Sequence, residues 1–323
     1  MDLFGFSQLV ASVFLLLQGD PLADAAPGRS IDMGGYELHA LERGDGDPTV
    51  VYFHGAGNAA AVWLPVMRVL EADARQIAFD DPGAGWSDLG PLNATLRQQA
   101  FDAERALAEM SVNGPVILVG HSRGGLVALE FARQFRDRVA AVVLVDSSHP
   151  NMMLRFRNPE TGEFSWQVVR TRHTGRGVPP VSDIGLPSGL EQQCFTPRRD
   201  VSDIVEGWRS DDAELLERAY NLPICQPSGL RTAFADELEY MGQNWTDYVL
   251  GEIPLTVLYA AHREYDGDET WSSSALAERS AMLSATLASL SSNARSIPMQ
   301  GVSHAIHVDA PDRVAAAIRE HLN

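Results

Sequence analysis

Short, uninterrupted runs of apolar residues alternate along the chain with longer stretches in which apolar residues recur at helical spacing. The apolar runs predict strands over 36–41, 49–53, 76–79, 115–119 and 140–145, and the helical spacing predicts helices over 59–70, 96–110 and 122–135. An uninterrupted apolar run suits a strand that is covered on both faces. The alternation therefore predicts an α/β fold, in which a mostly parallel, twisted sheet carries helices on both faces.

This alternation stops near residue 150 and resumes near residue 251. Between them Pro, Gly, Arg and Trp are frequent, no apolar strand is evident, and the helices are short and amphipathic, as over 211–220. The regular pattern returns with a strand at 254–260, a helix at 274–290, a strand at 295–299 and a helix at 311–322. We predict a core of residues 30–150 and 251–323, and a mainly helical cap, or lid, inserted as residues 151–250.

The first 26 residues contain an apolar segment, 3–17, followed by a break at Gly19-Asp20-Pro21 and by the small-residue sequence Ala23-Asp24-Ala25. These parts are typical of a secretory signal peptide, although Asp2 stands where a basic residue is expected. The segment is shorter than the roughly 20 residues that span a bilayer. Export to a periplasm or the outside is one expectation; an uncleaved anchor, or an N-terminal helix packed on a cytoplasmic protein, is the other. Membrane association is expected only if the segment is retained.

Composition excludes several classes of function. The 323 residues include 43 acidic and 25 basic side chains, for a net charge of −18, which argues against nucleic acid as a partner. The chain contains no lysine, which excludes a Schiff-base mechanism and a Walker-type phosphate loop. Its two cysteines, Cys194 and Cys225, cannot form a disulfide scaffold or a four-thiolate zinc site. In an exported protein they are candidates for one disulfide, whereas in a cytosol they would stay reduced.

The sequence Gly120-His121-Ser122-Arg123-Gly124 follows a predicted buried strand directly and opens a predicted helix. A G-x-S-x-G motif in this position indicates a sharp, strained turn that only small flanking residues permit. The turn lifts the Ser122 hydroxyl above the sheet and directs the helix N-terminus at a developing oxyanion. Ser122 is therefore the candidate nucleophile.

Two more glycine-containing loops follow neighbouring strands. His54-Gly55-Ala56-Gly57 comes directly after the strand at 49–53, and its glycines let the backbone bend back over the sheet edge. We predict that the N–H groups of Ala56 and Arg123 form an oxyanion hole. The loop 81–87 (DPGAGWS) is expected to support its neighbour and to carry no chemistry.

A histidine follows the last predicted strand, in Gly301-Val302-Ser303-His304. On a loop at the carboxyl edge of the sheet, His304 can reach Ser122 and act as its general base. His307, three residues further on, is the competing candidate.

Together these stretches resemble the α/β-hydrolase superfamily with a cap domain inserted after the sixth strand. The resemblance covers 36–146 and 254–323 and is carried by HGAG, DPGAGWS, GHSRGG and GVSHAIHVDAP. It implies Ser122 as nucleophile, His304 as base, and the Ala56 and Arg123 N–H groups as the oxyanion hole. Members that open epoxides or displace halide carry Asp at the nucleophile position, so Ser122 argues against both reactions.

The acid of the triad departs from the family pattern. Most relatives place an Asp in a G-x-x-D-like turn after the strand that 254–260 represents, but here the turn reads Ala260-Ala261-His262-Arg263. Three acidic residues follow it: Glu264, Asp266 and Asp268. Some members keep the acid at the end of the strand after the nucleophile helix, where this chain has Asp146. We favour Asp146 and keep Asp266 as the alternative.

The sequence predicts a serine hydrolase that cleaves a carboxylic ester or related acyl compound, a small molecule, without metal or cofactor. Alternatives are a carbon–carbon bond hydrolase, a lactonase or a thioesterase on the same triad, or a non-catalytic ligand receptor of the same fold. The insertion is expected to roof the pocket. Its arginines, Arg155 among them, are candidates for receiving a substrate carboxylate, although a solvated position is the simpler expectation. The sequence does not specify the oligomeric state.

Overall fold

The structure is a computed structural model that describes residues 26–90, 95–157, 161–168, 192–195, 201–222, 224–227 and 230–322. The predicted signal-like segment, 1–26, lies outside these ranges except for its last residue. Among the helices in these ranges, none combines the length and the apolar character needed to cross a membrane.

The centre of the fold is an eight-stranded sheet with the order β1-β2-β4-β3-β5-β6-β11-β12. Its strands are β1 (Arg29–Asp32), β2 (Glu37–Arg43), β3 (Thr49–Phe53), β4 (Gln76–Phe79), β5 (Val116–His121), β6 (Val139–Val145), β11 (Leu255–Ala260) and β12 (Ala294–Met299). The pairs β1–β2 and β2–β4 are antiparallel, and the strands from β4 to β12 pair in parallel. The predicted mostly parallel sheet is confirmed.

Helices cover both faces of this sheet. They are α1 (Leu64–Val69), α2 (Leu96–Glu109), α3 (Arg123–Gln134), α4 (Ser202–Val205), α5 (Ser210–Asn221), α6 (Leu230–Gln243), α7 (Ser273–Thr286), α8 (Ile306–Asp309) and α9 (Pro311–Arg319). Successive residues of a strand point to opposite faces, so Val51 and Phe53 join the core under α2 and α3, whereas Val50 and Tyr52 join the core under α1 and α9. The sheet therefore lies between two hydrophobic cores, one on each face.

The sequence pattern and the structure differ at two helices of the core. The helix predicted over 274–290 is α7 followed by a 3₁₀ turn, Leu287–Leu290. The helix predicted over 59–70 is a 3₁₀ turn, Ala60–Trp63, followed by α1. Pro65 lies in the first turn of α1. A proline has no N–H to donate back to the preceding turn, so the α-helix begins beside it and the residues before it form the tighter turn.

The predicted insertion contains short strands as well as helices. Besides α4, α5, α6 and a 3₁₀ turn at Trp245–Tyr248, its described residues form two antiparallel pairs: β7 (Met153–Arg157) with β8 (Phe164–Val168), and β9 (Gln192–Phe195) with β10 (Ile224–Pro227). These strands mix polar with apolar residues, so a search for continuous apolar runs misses them. Cys194 and Cys225 are directly opposite each other in the β9–β10 register. The boundaries of the insertion stay a prediction.

One helix of the insertion is anchored to the core by buried polar contacts. Asp212 of α5 is 3% exposed and accepts a hydrogen bond from Arg43 Nη2 at 3.1 Å, and it also pairs with Arg68. Tyr220, at the other end of the helix, donates its hydroxyl to Asn58 Oδ1 at 2.7 Å. These contacts fix α5 beside the loop that follows β3.

Candidate active site

Ser122 lies between β5 and α3 with a φ of +52°, a backbone conformation that residues with a Cβ rarely adopt. Three backbone hydrogen bonds hold the turn: Ser122 N donates to Val145 O, while Ser122 O accepts from the N–H groups of Gly125 and Ser148. Strain of this kind persists only where the surroundings enforce it. The structure therefore contains the sharp strand-to-helix turn that the G-x-S-x-G sequence predicts.

The glycines on either side of Ser122 are required by space. A Cβ on Gly120 would lie 2.5 Å from the Cα of Gly125, and a Cβ on Gly124 would lie 2.2 Å from the carbonyl oxygen of Phe53. Real Cβ atoms do not approach backbone so closely. The prediction that only small residues permit the turn is confirmed.

His304 and Asp146 are joined by a short hydrogen bond. His304 follows β12, and its Nδ1 lies 2.6 Å from Oδ2 of Asp146, which ends β6. A carboxylate oxygen can only accept, so the proton is on Nδ1 and Nε2 of the neutral ring is left to accept another. Asp146 is 1% exposed, and its Oδ1 accepts the N–H of Ala260 at 3.1 Å. The Asp146 carboxylate is thus held on both oxygens, while the His304 imidazole keeps 37% of its side-chain surface exposed.

His121 connects the Ser122 turn to the His304 loop. Its ring lies 4.5 Å from the His304 ring, and its Nε2 donates to the His304 carbonyl oxygen at 2.9 Å. Burial, followed by the neighbouring His307 and His304, lowers the pKa of His121 well below its usual value, so the ring is neutral. Among the described contacts, no hydrogen bond joins the Ser122 hydroxyl to His304. Such bonds often tighten only when substrate binds.

His307, the competing candidate base, is enclosed in the core. It is 1% exposed and packs against Trp63 and His121, with ring centroids 4.6 Å and 4.3 Å away. Burial, together with His304 and His54, lowers the pKa of His307 to about 3. The structure pairs Asp146 with His304, and His307 supports the ring of His121.

The two predicted oxyanion loops meet at Ser122. Ala56 lies in an exposed turn that Asn58 N closes onto Gly55 O at 3.2 Å. A Cβ on Gly55 would lie 3.1 Å from the Cβ of Ser122, so this turn passes directly beside the serine. Arg123 is the first residue of α3, in the turn whose N–H groups have no carbonyl partner within the helix.

Asp80, which sequence reasoning missed, holds the neighbouring loop. It is fully buried, and its carboxylate accepts from Ala60 N at 2.6 Å, Trp86 N at 3.1 Å and His39 Nδ1 at 2.7 Å. Burial acts to lower the pKa of His39, but the hydrogen bond and charge of Asp80 outweigh it and raise that pKa above its usual value. This buried ion pair ties the loop 81–87 to β2, in line with the supporting role expected of that loop.

The alternative acid, Asp266, lies away from His304. Its side chain is 90% exposed and its charge partner is Arg155, at 3.8 Å. Arg263, which occupies the turn where the family resemblance leads one to expect an Asp, places Nη1 3.6 Å from Oδ2 of Asp146. The structure therefore brings Asp146, and not Asp266, to the imidazole.

A cavity of about 500 Å³ opens beside these residues. Ala56, Ser147 and Ser148 line it on the side of the Ser122 turn, and residues of β7, β8, α7 and the loops next to them line the remainder. Within the described part of the chain, no group of three or more His, Cys, Asp or Glu side chains is arranged to hold a metal ion.

The chain belongs to the alpha/beta hydrolase family, whose model matches residues 50–317. This match agrees with the eight-stranded sheet and with the strained serine between β5 and α3.

Individual relatives differ in how much of the chain they match. A human (lyso)-N-acylphosphatidylethanolamine lipase is 27% identical over 86% of this chain and 80% of its own length. A 2-(acetamidomethylene)succinate hydrolase from Mesorhizobium japonicum is 32% identical, but the match covers 40% of this chain and 46% of that protein. Among solved structures, the thioesterase domain from the curacin biosynthetic pathway superposes with a TM-score of 0.60 at 17% identity, covering 91% of this chain and 99% of that domain. This last likeness is one of fold.

Proposed function

We propose that the protein is a serine hydrolase that cleaves a carboxylic ester or a related acyl substrate through an acyl-enzyme on Ser122. The observation that carries this proposal is the 2.6 Å hydrogen bond between Asp146 and His304 beside a serine held at φ +52°. Membership of the alpha/beta hydrolase family supports hydrolysis as the reaction class.

In the first half of the reaction, the Ser122 hydroxyl attacks the substrate carbonyl and gives its proton to Nε2 of His304. Asp146 holds Nδ1–H and stabilises the imidazolium that forms. The tetrahedral intermediate collapses as His304 returns the proton to the leaving oxygen. In the second half, His304 activates a water molecule, which releases the acid product and restores Ser122. None of these steps requires a metal or an organic cofactor.

The developing oxyanion is stabilised by the N–H groups of Ala56 and Arg123. The Arg123 amide also lies at the N-terminus of α3. This is the positive end of the helix dipole, which favours negative charge. Removing one such donor typically costs about 3–4 kcal/mol of transition-state stabilisation.

An acyl substrate is the simplest choice for this site. The human relative that matches most of the chain is named as a lipase, and the Mesorhizobium relative as a hydrolase of an acetamido-substituted succinate. Lactone, thioester and carbon–carbon bond hydrolysis use the same nucleophile, base and oxyanion hole, so the reaction class is decided by turnover on a substrate panel. A ligand receptor of this fold would bind without turnover.

The test is steady-state hydrolysis of p-nitrophenyl esters, a thioester, a lactone and a vinylogous diketone by the wild type and by Ser122→Ala and His304→Ala. We expect turnover of the esters by the wild type and a loss of several orders of magnitude in both variants. The control is Ser289→Ala, which replaces an exposed serine in the segment after α7. We expect this variant to retain activity. Turnover of the diketone alone would identify the protein as a carbon–carbon bond hydrolase and not an esterase. No turnover of any substrate would favour a ligand receptor.

A further inference from the structure

The cavity beside Ser122 is lined by residues from several parts of the fold. At its near end lie Ala56 and Ser148, and the N–H of Ser148 donates to the carbonyl oxygen of Ser122 at 2.9 Å. Residues of α7 and of the β7–β8 pair line other parts of it. A substrate whose carbonyl reaches Ser122 can therefore place one substituent in this cavity, which has the size of a small-molecule site.

The charges that line this cavity are opposite in sign to those of the chain. Three arginines line it, Arg155, Arg263 and Arg279, whereas no aspartate or glutamate does so among the described residues. The whole chain carries 43 acidic and 25 basic residues. Concentrating cations in one concave site of so acidic a protein favours an anion there over the rest of the surface.

Arg279, on α7, is the least satisfied of the three. Its Nη2 donates to the carbonyl oxygen of Asn151 at 3.3 Å, and its Nε is buried without a hydrogen-bond partner. Within the described ranges it makes no ion pair. A buried donor on a charged group costs free energy until an acceptor reaches it, and an anion with two oxygens suits the planar guanidinium fork.

The other two arginines have partial partners. Arg263 lies 3.6 Å from Asp146 and its guanidinium stacks over the Tyr265 ring at 5.1 Å. Arg155 has a side chain that is 41% exposed and pairs at 3.8 Å with the exposed Asp266. An exposed pair of this kind contributes little, so Arg155 lies at the rim. Arg263 lies beside the Asp146–His304 pair, which leaves Arg279 as the arginine of this cavity that an anion would satisfy.

Apolar side chains also form part of the cavity wall. Met152, Leu276 and Leu283 line the same cavity, and Leu276 is 3% exposed. Such a wall suits a short aliphatic chain, with polar groups needed only at its two ends.

From this arrangement we infer that the cavity binds an anionic group, a carboxylate or a phosphate, at the end of the substrate acyl chain opposite its reacting carbonyl, with Arg279 as the principal partner of that group. This inference rests on the proposed function of Ser122 and adds the substrate class: acyl esters with a terminal anion, such as the half-ester of a short dicarboxylic acid.

The kinetic test uses three p-nitrophenyl esters of equal chain length. The first is the glutarate ester with a free terminal carboxylate, and the second is the same ester with that carboxylate methylated. The third ends in a phosphonate. We expect the wild type to show a kcat/KM at least tenfold higher for one of the anionic esters than for the methylated one. Arg279→Gln lowers this ratio at least tenfold, mainly by raising KM for the anionic ester, and Arg279→Lys restores part of it. The preferred anion separates a carboxylate from a phosphate site.

The control variant is Arg209→Gln, at the surface of the insertion, where the arginine is 65% exposed and pairs with Asp211. It leaves the anionic-to-neutral ratio unchanged. Equal kcat/KM for charged and methylated esters in the wild type, or an unchanged ratio in Arg279→Gln, overturns the inference while leaving ester hydrolysis intact.

Calorimetry on Ser122→Ala separates the inference from the proposed function, because binding is then measured without turnover. We expect glutarate or inorganic phosphate to bind, the neutral glutaramide not to bind, and Arg279→Gln in the same background to abolish the signal. Failure of both anions to bind overturns the anion site, whatever the role of Ser122.

Discussion

Arg263 Nη1 lies 3.6 Å from Oδ2 of Asp146, the same oxygen that accepts from His304. Arg263 occupies the turn after β11, where the family resemblance leads one to expect the acid. The strands β6 and β11 are neighbours in the parallel sheet, with Val145 opposite Leu258, so their carboxyl ends lie side by side. A carboxylate at either strand end can therefore reach the same imidazole, and in this chain β6 supplies the carboxylate and β11 a cation.

This arrangement predicts the effect of removing each candidate acid. Asp146→Asn should lower kcat by about 10⁴-fold, because an amide in place of the carboxylate holds the imidazole in the wrong tautomer. Asp266→Asn should leave kcat close to that of the wild type, since its side chain is 90% exposed and pairs with Arg155. Steady-state kinetics on a p-nitrophenyl ester measures both. The reverse ranking would move the acid to the turn after β11.

A second prediction concerns the space around the nucleophile turn. Gly124→Ala should destabilise the protein by about 2 to 3 kcal/mol or more, because the new Cβ would lie 2.2 Å from the Phe53 carbonyl oxygen. Gly114→Ala is the matched control: a Cβ there meets nothing within 4 Å, and the expected change stays within about 0.5 kcal/mol. Urea denaturation followed by fluorescence gives both free energies of unfolding. Equal free energies of unfolding for the two variants would show that a Cβ fits at position 124 and would contradict the prediction.

A third prediction concerns Glu237, on α6, whose Oε1 accepts the N–H of Leu96 at 2.6 Å at the start of α2. Burial, which outweighs the opposing Arg123 and the bond from Leu96, raises the pKa of Glu237 to about 7. The unfolded carboxyl has its usual pKa near 4.5, so between these two values the native state binds a proton that the unfolded state has released. The contribution of Glu237 to stability is therefore most favourable below pH 4.5 and falls as pH rises to 7.

Glu237→Gln keeps an acceptor for Leu96 N–H but does not ionise. At pH 8 the variant should be more stable than the wild type by on the order of 1–3 kcal/mol, and this difference should vanish near pH 4.5. Thermal unfolding across this pH range measures it, with the exposed Glu214→Gln as a control that shows no such trend. A stability difference that is independent of pH would contradict the assigned titration.

Much of the core fold follows from local patterns in the sequence. The strands at Thr49–Phe53 and Gln76–Phe79 match the predicted ranges because both are continuous apolar runs that the sheet buries completely. The serine turn is also predictable from local sequence, because the motif Gly120-His121-Ser122-Arg123-Gly124 directly follows a continuous apolar run. The short strands of the insertion escape prediction because they mix polar with apolar residues and form two-stranded pairs outside the main sheet.

The contacts that depend on distant parts of the chain could not be predicted in this way. Asp80 stands at the end of a strand like many other aspartates, and only the fold brings Ala60, Trp86 and His39 to its carboxylate. The same holds for Arg279, whose contact with the carbonyl oxygen of Asn151 is made only in the folded chain. Local sequence identifies Ser122 as a nucleophile candidate, whereas the choice between Asp146 and Asp266 requires the order of the strands.

The most direct test of the central claim is the intact mass of the protein after incubation with a fluorophosphonate, which reacts with a serine only where a base and an oxyanion hole activate it. We predict one adduct on the wild type, none on Ser122→Ala, and one on the control Ser289→Ala. An adduct that persists on Ser122→Ala, or no adduct on folded wild type, would contradict the assignment of Ser122 as the nucleophile.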